Sequence, residues 1–160
     1  MEAWDTYPYQ GFNIPVNLML LTGGGPETFD AISRAHIHNL EQYIGLSPDF
    51  SILEIGCGIG RDAIPLTKKL SSAGKYLGID IVGPSVEWCK NNISAQFPNF
   101  QFAHFDVKDQ LHNPSGTIST KDVRVPLADR SVDRIVLQSV FTHLLRPDIQ
   151  YYLREFRRLL

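Results

Sequence analysis

Glu54-Ile55-Gly56-Cys57-Gly58-Ile59-Gly60 is the stretch that decides the fold of this chain. Before it, Ser51-Ile52-Leu53-Glu54-Ile55 is a short β-rich run, and after it residues 61–70 read as a helix. A glycine-rich turn between a strand and a helix has a physical purpose. Glycine lets the backbone bend sharply and lets a ligand approach closely. The helix N-terminus that follows favours electron-rich groups. The next strand, Lys75-Tyr76-Leu77-Gly78-Ile79-Asp80, ends in a carboxylate roughly 20 residues beyond the glycines, placed to accept hydrogen bonds from both hydroxyls of a ribose. Turn and acid together predict a site for an adenosine-type cofactor at the carboxyl ends of the strands.

Outward from the turn, strands and helices alternate. A second helix is predicted over 84–97, with Val86, Cys89, Ile93 and Phe97 on one stripe, then a third strand over 99–105. Residues 131–140 hold a fourth strand built on Arg134-Ile135-Val136-Leu137. A last helix starts near Pro147-Asp148, with Ile149, Leu153, Phe156 and Leu160 facing inward and Arg154, Arg157 and Arg158 on a solvated face. This alternation predicts an α/β protein with a parallel sheet and helices on both faces, joined by right-handed crossovers. The connection over 107–130 is long, and connections of that length are usually functional or mobile.

Upstream, residues 1–26 are aromatic and turn-rich, with Trp4, Tyr7, Tyr9 and Phe12 available to pack on the domain or to cover a substrate. A helix opening at Pro26 follows, with Phe29, Ile32, Leu40 and Ile44 on its apolar stripe, His36 on the same stripe and Gly45 as the stop. Two parts are expected: an N-terminal arm with a cap helix over 1–48, and the cofactor-binding domain over 49–160. The sequence stops at Arg157-Arg158-Leu159-Leu160, inside a helix, which predicts an incomplete domain lacking its C-terminal strands and an edge strand with an open flank.

The composition bounds the rest. The 160 residues are one domain's worth, 43% hydrophobic and 20% charged, a globular balance. Fifteen Lys and Arg against 17 Asp and Glu leave a net charge of -2, which argues against a dedicated nucleic-acid binder. Apolar runs fall far short of the ~20 residues of a membrane span, so no membrane partner is expected. MEAWDTYPYQ carries no basic region followed by an apolar run, and Cys57 and Cys89 form no metal-ligand pattern. A reduced cytoplasmic setting is expected, with no metal.

The turn departs from the dinucleotide fingerprint, because its third glycine comes one place early and Arg61 stands where that fingerprint has glycine. A carboxylate at Glu54 would repel a pyrophosphate and suit a cofactor with cationic groups. Glu54 to Gly60 resembles the first motif of the class I S-adenosylmethionine-dependent methyltransferases, commonly [DE]xGxGxG. The resemblance continues through Tyr76-Leu77-Gly78-Ile79-Asp80, Phe105-Asp106-Val107 and the stretch over 126–133. It runs on through Ser139-Val140-Phe141-Thr142-His143-Leu144 to the final helix. It implies a Rossmann-like, doubly wound, three-layer α/β/α fold and in-line transfer of a methyl group from S-adenosylmethionine to an acceptor that is expected to be a small molecule.

Carried over, the resemblance implies that Glu54, Gly56, Cys57, Gly58 and Gly60 line the methionine part of the cofactor. Asp80 would hold the ribose with Ile81 on the adenine, Asp106 would face the adenine amino group beside Val107, and Gln138 would lie near the reacting sulfur. His143, after the fourth strand, is the candidate proton acceptor, or simply a polar residue at a helix start. His36 reads as a packed, hydrogen-bonded histidine unless its helix caps the pocket, and Cys57 as a small residue in a crowded turn. Rival readings are a nicotinamide-dependent oxidoreductase on the same fold and a non-catalytic cofactor-binding fragment. A nucleic-acid methyltransferase is disfavoured, because Gln138-Ser139-Val140-Phe141 stands where amino-methylating members often carry [DNS]PP[YFW].

Overall fold

From the N-terminal side, β1 (Thr6–Tyr9) and β2 (Phe12–Pro15) form an antiparallel hairpin, followed by α1 (Val16–Met19) and α2 (Phe29–Asn39). Then come β3 (Ser51–Ile55), α3 (Ala63–Leu66), β4 (Lys75–Asp80), α4 (Gly83–Cys89), β5 (Phe100–His104), β6 (Arg134–Leu137) and α5 (Arg146–Leu159). This computed structural model describes residues 5–160, the side chain of His143 excepted. Trp4 of the aromatic arm lies outside the described residues.

The central sheet is parallel throughout, in the order β5-β4-β3-β6. Its period of two sorts the strand side chains into two cores. Ile52, Tyr76, Phe100, Phe102 and Val136 join the helices α2, α3 and α4 on one face. Leu53, Ile55, Ile79, Ile135 and Leu137 join α5 on the other. The hairpin belongs to the first core, where Tyr9 meets Phe29 edge-on at 5.2 Å and Phe12 meets Trp88 at 6.2 Å.

Three helical details differ from the sequence reading, each for a packing reason. α2 begins at Phe29 rather than Pro26 and buries Phe29, Ser33 and Ile37; Leu40, just past its end, is also buried, while Ile44 is 40% exposed. Its Ile32 and His36, four apart, occupy the neighbouring stripe. α3 is a short helix extended by turns, because Pro65 has no N–H for the carbonyl of Arg61. The hydroxyl of buried Ser33 donates to that carbonyl instead, at 2.9 Å, and so joins α2 to α3. α5 buries Tyr152, Phe156 and Leu159, leaving Leu153 52% and Leu160 59% exposed. Phe156 is inward as read, while Tyr152 and Leu159 take the places read for Leu153 and Leu160, set by the aromatic contacts of Phe156 with Tyr152 and Phe141.

The long connection after β5 is a packed layer. Val107, Val123, Val125 and Val132 bury into the second core, and Val107 bridges to Ile118. Arg158, expected on a solvated face, reaches back to it. Its guanidinium donates to the carbonyls of Val125 (3.0 Å) and Leu127 (2.8 Å), to Asp129 (2.8 Å) and to Glu155. Among the described residues no helix is long and apolar enough to cross a membrane.

Candidate functional site

The glycine turn caps the carboxyl end of β3. Gly56, Gly58 and Gly60 adopt φ of 78°, 53° and 79°, the left-handed region where a Cβ is strained. The turn is tied down by backbone bonds: the N–H of Gly56 donates to the carbonyl of Ile79 at 2.7 Å, and that of Gly60 to Cys57 at 3.0 Å. The carboxylate of Asp80, at the end of β4, accepts from the N–H of Gly58 at 2.7 Å and from the N–H of Val82 at 2.8 Å. Burial pushes its carboxyl above the usual range, opposed by those two donors. Each oxygen keeps a further lone pair for a ligand.

Beside the turn lies a cavity of about 740 Å³ at the carboxyl ends of β3, β4 and β6. Such crevices are where parallel α/β sheets bind ligands. Of the residues singled out in the sequence, Glu54, Gly56, Cys57, Gly58, Asp80, Ile81, Val107 and Gln138 line it. Gly60 does not; it faces Ile93 and Cys89 on the α4 side. Asp106 does not line it either. Its carboxylate is committed to the loop that follows, accepting from the hydroxyl of Thr117 at 2.6 Å and the amide of Asn113 at 2.9 Å. Those donors hold it below the usual carboxylate range. The backbone of His143 sits in a tight turn after β6, and its side chain lies outside the described ones.

Glu54 is buried and accepts a hydrogen bond from the Tyr76 hydroxyl. Burial, with the negative charge of Asp62 close by, pushes its carboxyl up to about 8. The apo site thus holds Glu54 largely neutral near pH 7, which weakens the charge repulsion expected from sequence. Burial also pushes the thiol of Cys57 up, which removes it as a thiolate nucleophile.

Three neighbours escaped the sequence reading as a group. His36 lines the cavity, and its Nδ1 lies 2.7 Å from Oδ2 of Asp62. Asp62 is 3% exposed, and its Oδ1 has no partner among the described residues. Arg61 donates to the carbonyl of Thr22 at 3.1 Å and lies over the Phe29 ring, fastening the N-terminal segment to the turn. Thr22, Arg61 and Asp62 all line the cavity. The available signal was the sequence Gly60-Arg61-Asp62 beside an i, i+4 pair on α2. Among the described residues no cluster of His, Cys, Asp or Glu is placed to hold a metal ion.

A parallel sheet with a glycine turn after its first central strand and an acid ending the next makes an α/β fold of the Rossmann-like kind. A family model described as "Methyltransferase domain" matches residues 52–160, and the chain belongs to that family, the class I S-adenosylmethionine-dependent methyltransferases. It is 27% identical over 128 residues to a tRNA N(3)-cytidine methyltransferase of Gallus gallus, covering 75% of this chain and 30% of that protein. It is 23% identical over 158 residues to a sterol 24-C-methyltransferase of Gibberella zeae, covering 99% of this chain and 36% of that one. The solved phosphoethanolamine N-methyltransferase 1 of Haemonchus contortus superposes with a TM-score of 0.62 at 18% identity, over 91% of this chain and 26% of that one. The chain therefore spans roughly a third of the length of these curated relatives.

Proposed function

We propose that the chain binds S-adenosylmethionine in the cavity and serves methyl transfer to a small-molecule acceptor, with residues 49–160 as the binding domain and 1–48 as arm and cap. The observation that carries this reading is the clamp of Asp80 on Gly58 beside an open cavity, at the carboxyl ends of the strands. The donor set fits the cofactor. Gly56 and Gly58 let the turn pack tightly against Val140 and Thr22 at the cavity, Asp80 offers lone pairs to ribose hydroxyls, and Ile81 gives the adenine an apolar face. The hydroxyl of Ser85 and Oδ1 of Asp62 are buried at the cavity without partners among the described residues, as groups awaiting a polar ligand are. Glu54 can ionise when a cationic group arrives, which favours an ammonium or sulfonium over a pyrophosphate.

When bound, S-adenosylmethionine supplies a methyl group already activated by a positive sulfur. The chain's own task is to orient: it holds the acceptor in line and excludes water. Gln138, Ser139 and Val140, at the end of β6, form the wall that the acceptor shares with the cofactor. The relatives' names include tRNA and sterol acceptors, so acceptor size is the open variable. Besides Glu54, the cavity lining has the carboxylates Asp62, Asp80, Asp109 and Asp148 against Arg61 and Lys108, which favours an acceptor without phosphates. Calorimetric titration with S-adenosylhomocysteine, with NAD as control, tests the reading. Saturable binding of the first alone supports it; binding of NAD alone refutes it.

A further inference from the structure

Resting on the methyl-transfer reading of the cavity, the pair His36–Asp62 says something about the acceptor. A carboxylate only accepts hydrogen bonds, so a neutral His36 paired with Oδ2 of Asp62 carries its proton on Nδ1. In that tautomer the lone pair is on Nε2, the ring nitrogen left for a molecule in the cavity. Asp62 is buried with its second oxygen unpartnered among the described residues, a poorly solvated anion that stabilises an imidazolium beside it. A second observation is independent. Leu21, Leu111 and Leu145 line the same cavity from three separate segments and are 48%, 69% and 73% exposed. Apolar side chains converging on a cavity mouth mark a site for an apolar ligand.

We infer that the methyl acceptor is an apolar molecule bearing a hydroxyl, its body lying on Leu21, Leu111 and Leu145 and its hydroxyl proton taken by Nε2 of His36. The acceptor oxygen forms its bond to the methyl carbon as the carbon–sulfur bond breaks, its electron pair staying on sulfur. The hydroxyl proton passes to Nε2, and the imidazolium is held against Asp62. A tertiary or already neutral amine attacks without prior proton removal, whereas a hydroxyl gives up its proton to a base as it attacks. His36 is then a catalytic residue and Asp62 a positioning residue.

The test uses the chain labelled with ¹⁵N-histidine and ¹³C-methyl leucine, saturated with S-adenosylhomocysteine. His36→Gln and Leu21→Ala, Leu111→Ala and Leu145→Ala assign the signals. Long-range ¹H–¹⁵N spectra report the tautomer, and the probes are 1-octanol and octyl methyl ether, which has no proton to give. The expected result is an unprotonated Nε2 that moves saturably toward the protonated value with octanol and not with the ether, while both probes shift the leucine methyls. Asp62→Ala should collapse Nε2 and Nδ1 toward a tautomer average. A protonated Nε2, or leucine shifts with octanol and no movement of Nε2, overturns the base assignment. No leucine shifts with either probe overturns the apolar acceptor. Failure to bind S-adenosylhomocysteine is a separate result: it refutes the methyl-transfer reading, and this inference with it.

Discussion

Glu54→Gln should change how the protein's stability depends on pH. The wild-type carboxyl lies at about 8 in the folded chain against 4.5 for the ordinary group, raised first by burial and next by Asp62. Below pH 4.5 both folded and unfolded chains hold the proton, and Glu54 imposes no penalty. Between 4.5 and about 8 the unfolded chain releases the proton while the folded chain keeps it, so stability falls as pH rises. Each pH unit in that window costs about 1.4 kcal/mol, and the whole window on the order of 5 kcal/mol. Glutamine keeps the shape and an oxygen for the Tyr76 hydroxyl but has nothing to ionise. The variant should match the wild type near pH 4 and exceed it increasingly from pH 5 toward pH 8. Urea unfolding of both proteins at half-unit intervals measures the difference directly. Parallel stability curves from pH 5 to 8.5 would refute the assignment of a raised Glu54. A companion measurement is proton release on ligand binding: a cationic cofactor group should pull the carboxyl down, and calorimetry in buffers of different ionisation enthalpy counts the released proton.

Asp80→Asn swaps a charged acceptor for an amide that cannot accept from both Gly58 and Val82; affinity for S-adenosylhomocysteine should fall by about 1–3 kcal/mol, read by calorimetry, and an unchanged Kd would remove Asp80 from the ribose. Gly60→Ala puts a Cβ at φ 79°, 2.6 Å from Cδ1 of Ile93, and should cost about 2–4 kcal/mol in urea unfolding through strain and overpacking; a loss under ~1 kcal/mol would mean that the turn relaxes. Arg158→Ala removes the donors that hold the carbonyls of Val125 and Leu127, so limited proteolysis should cut first within 124–131, whereas cuts distributed as in the wild type would deny Arg158 that role.

The sheet was legible because both readouts are one-dimensional. Strand runs such as Ile52-Leu53 and Ile135-Val136-Leu137 are apolar in sequence, and alternation with helices fixes parallel pairing. The glycine turn and Asp80 were legible because φ above zero demands glycine and the strand end places the acid. Helix faces were harder. On α2 and α5 two adjacent stripes are both apolar enough, and the partner surface chooses between them: Ser33 and Ile37 go inward, leaving Ile32 and His36 to the cavity. His36–Asp62 joins residues 26 apart through a contact between α2 and α3 that no spacing rule contains. Asp106 lies off the cavity lining, since Thr117 and Asn113, across a loop of irregular geometry, bond its oxygens.

The clamp of Asp80 on Gly58 and Val82 has a consequence for recognition. The same carboxylate that is offered to a ligand already immobilises the turn on one side and the start of α4 on the other. A ligand therefore meets a rigid seat, and little ordering entropy is subtracted from its affinity. The reverse also holds: any change at Asp80 loosens the seat and removes the contact together. Binding data on such variants report both effects at once, and hydrogen exchange at the Gly58 and Val82 amides is the means of separating them.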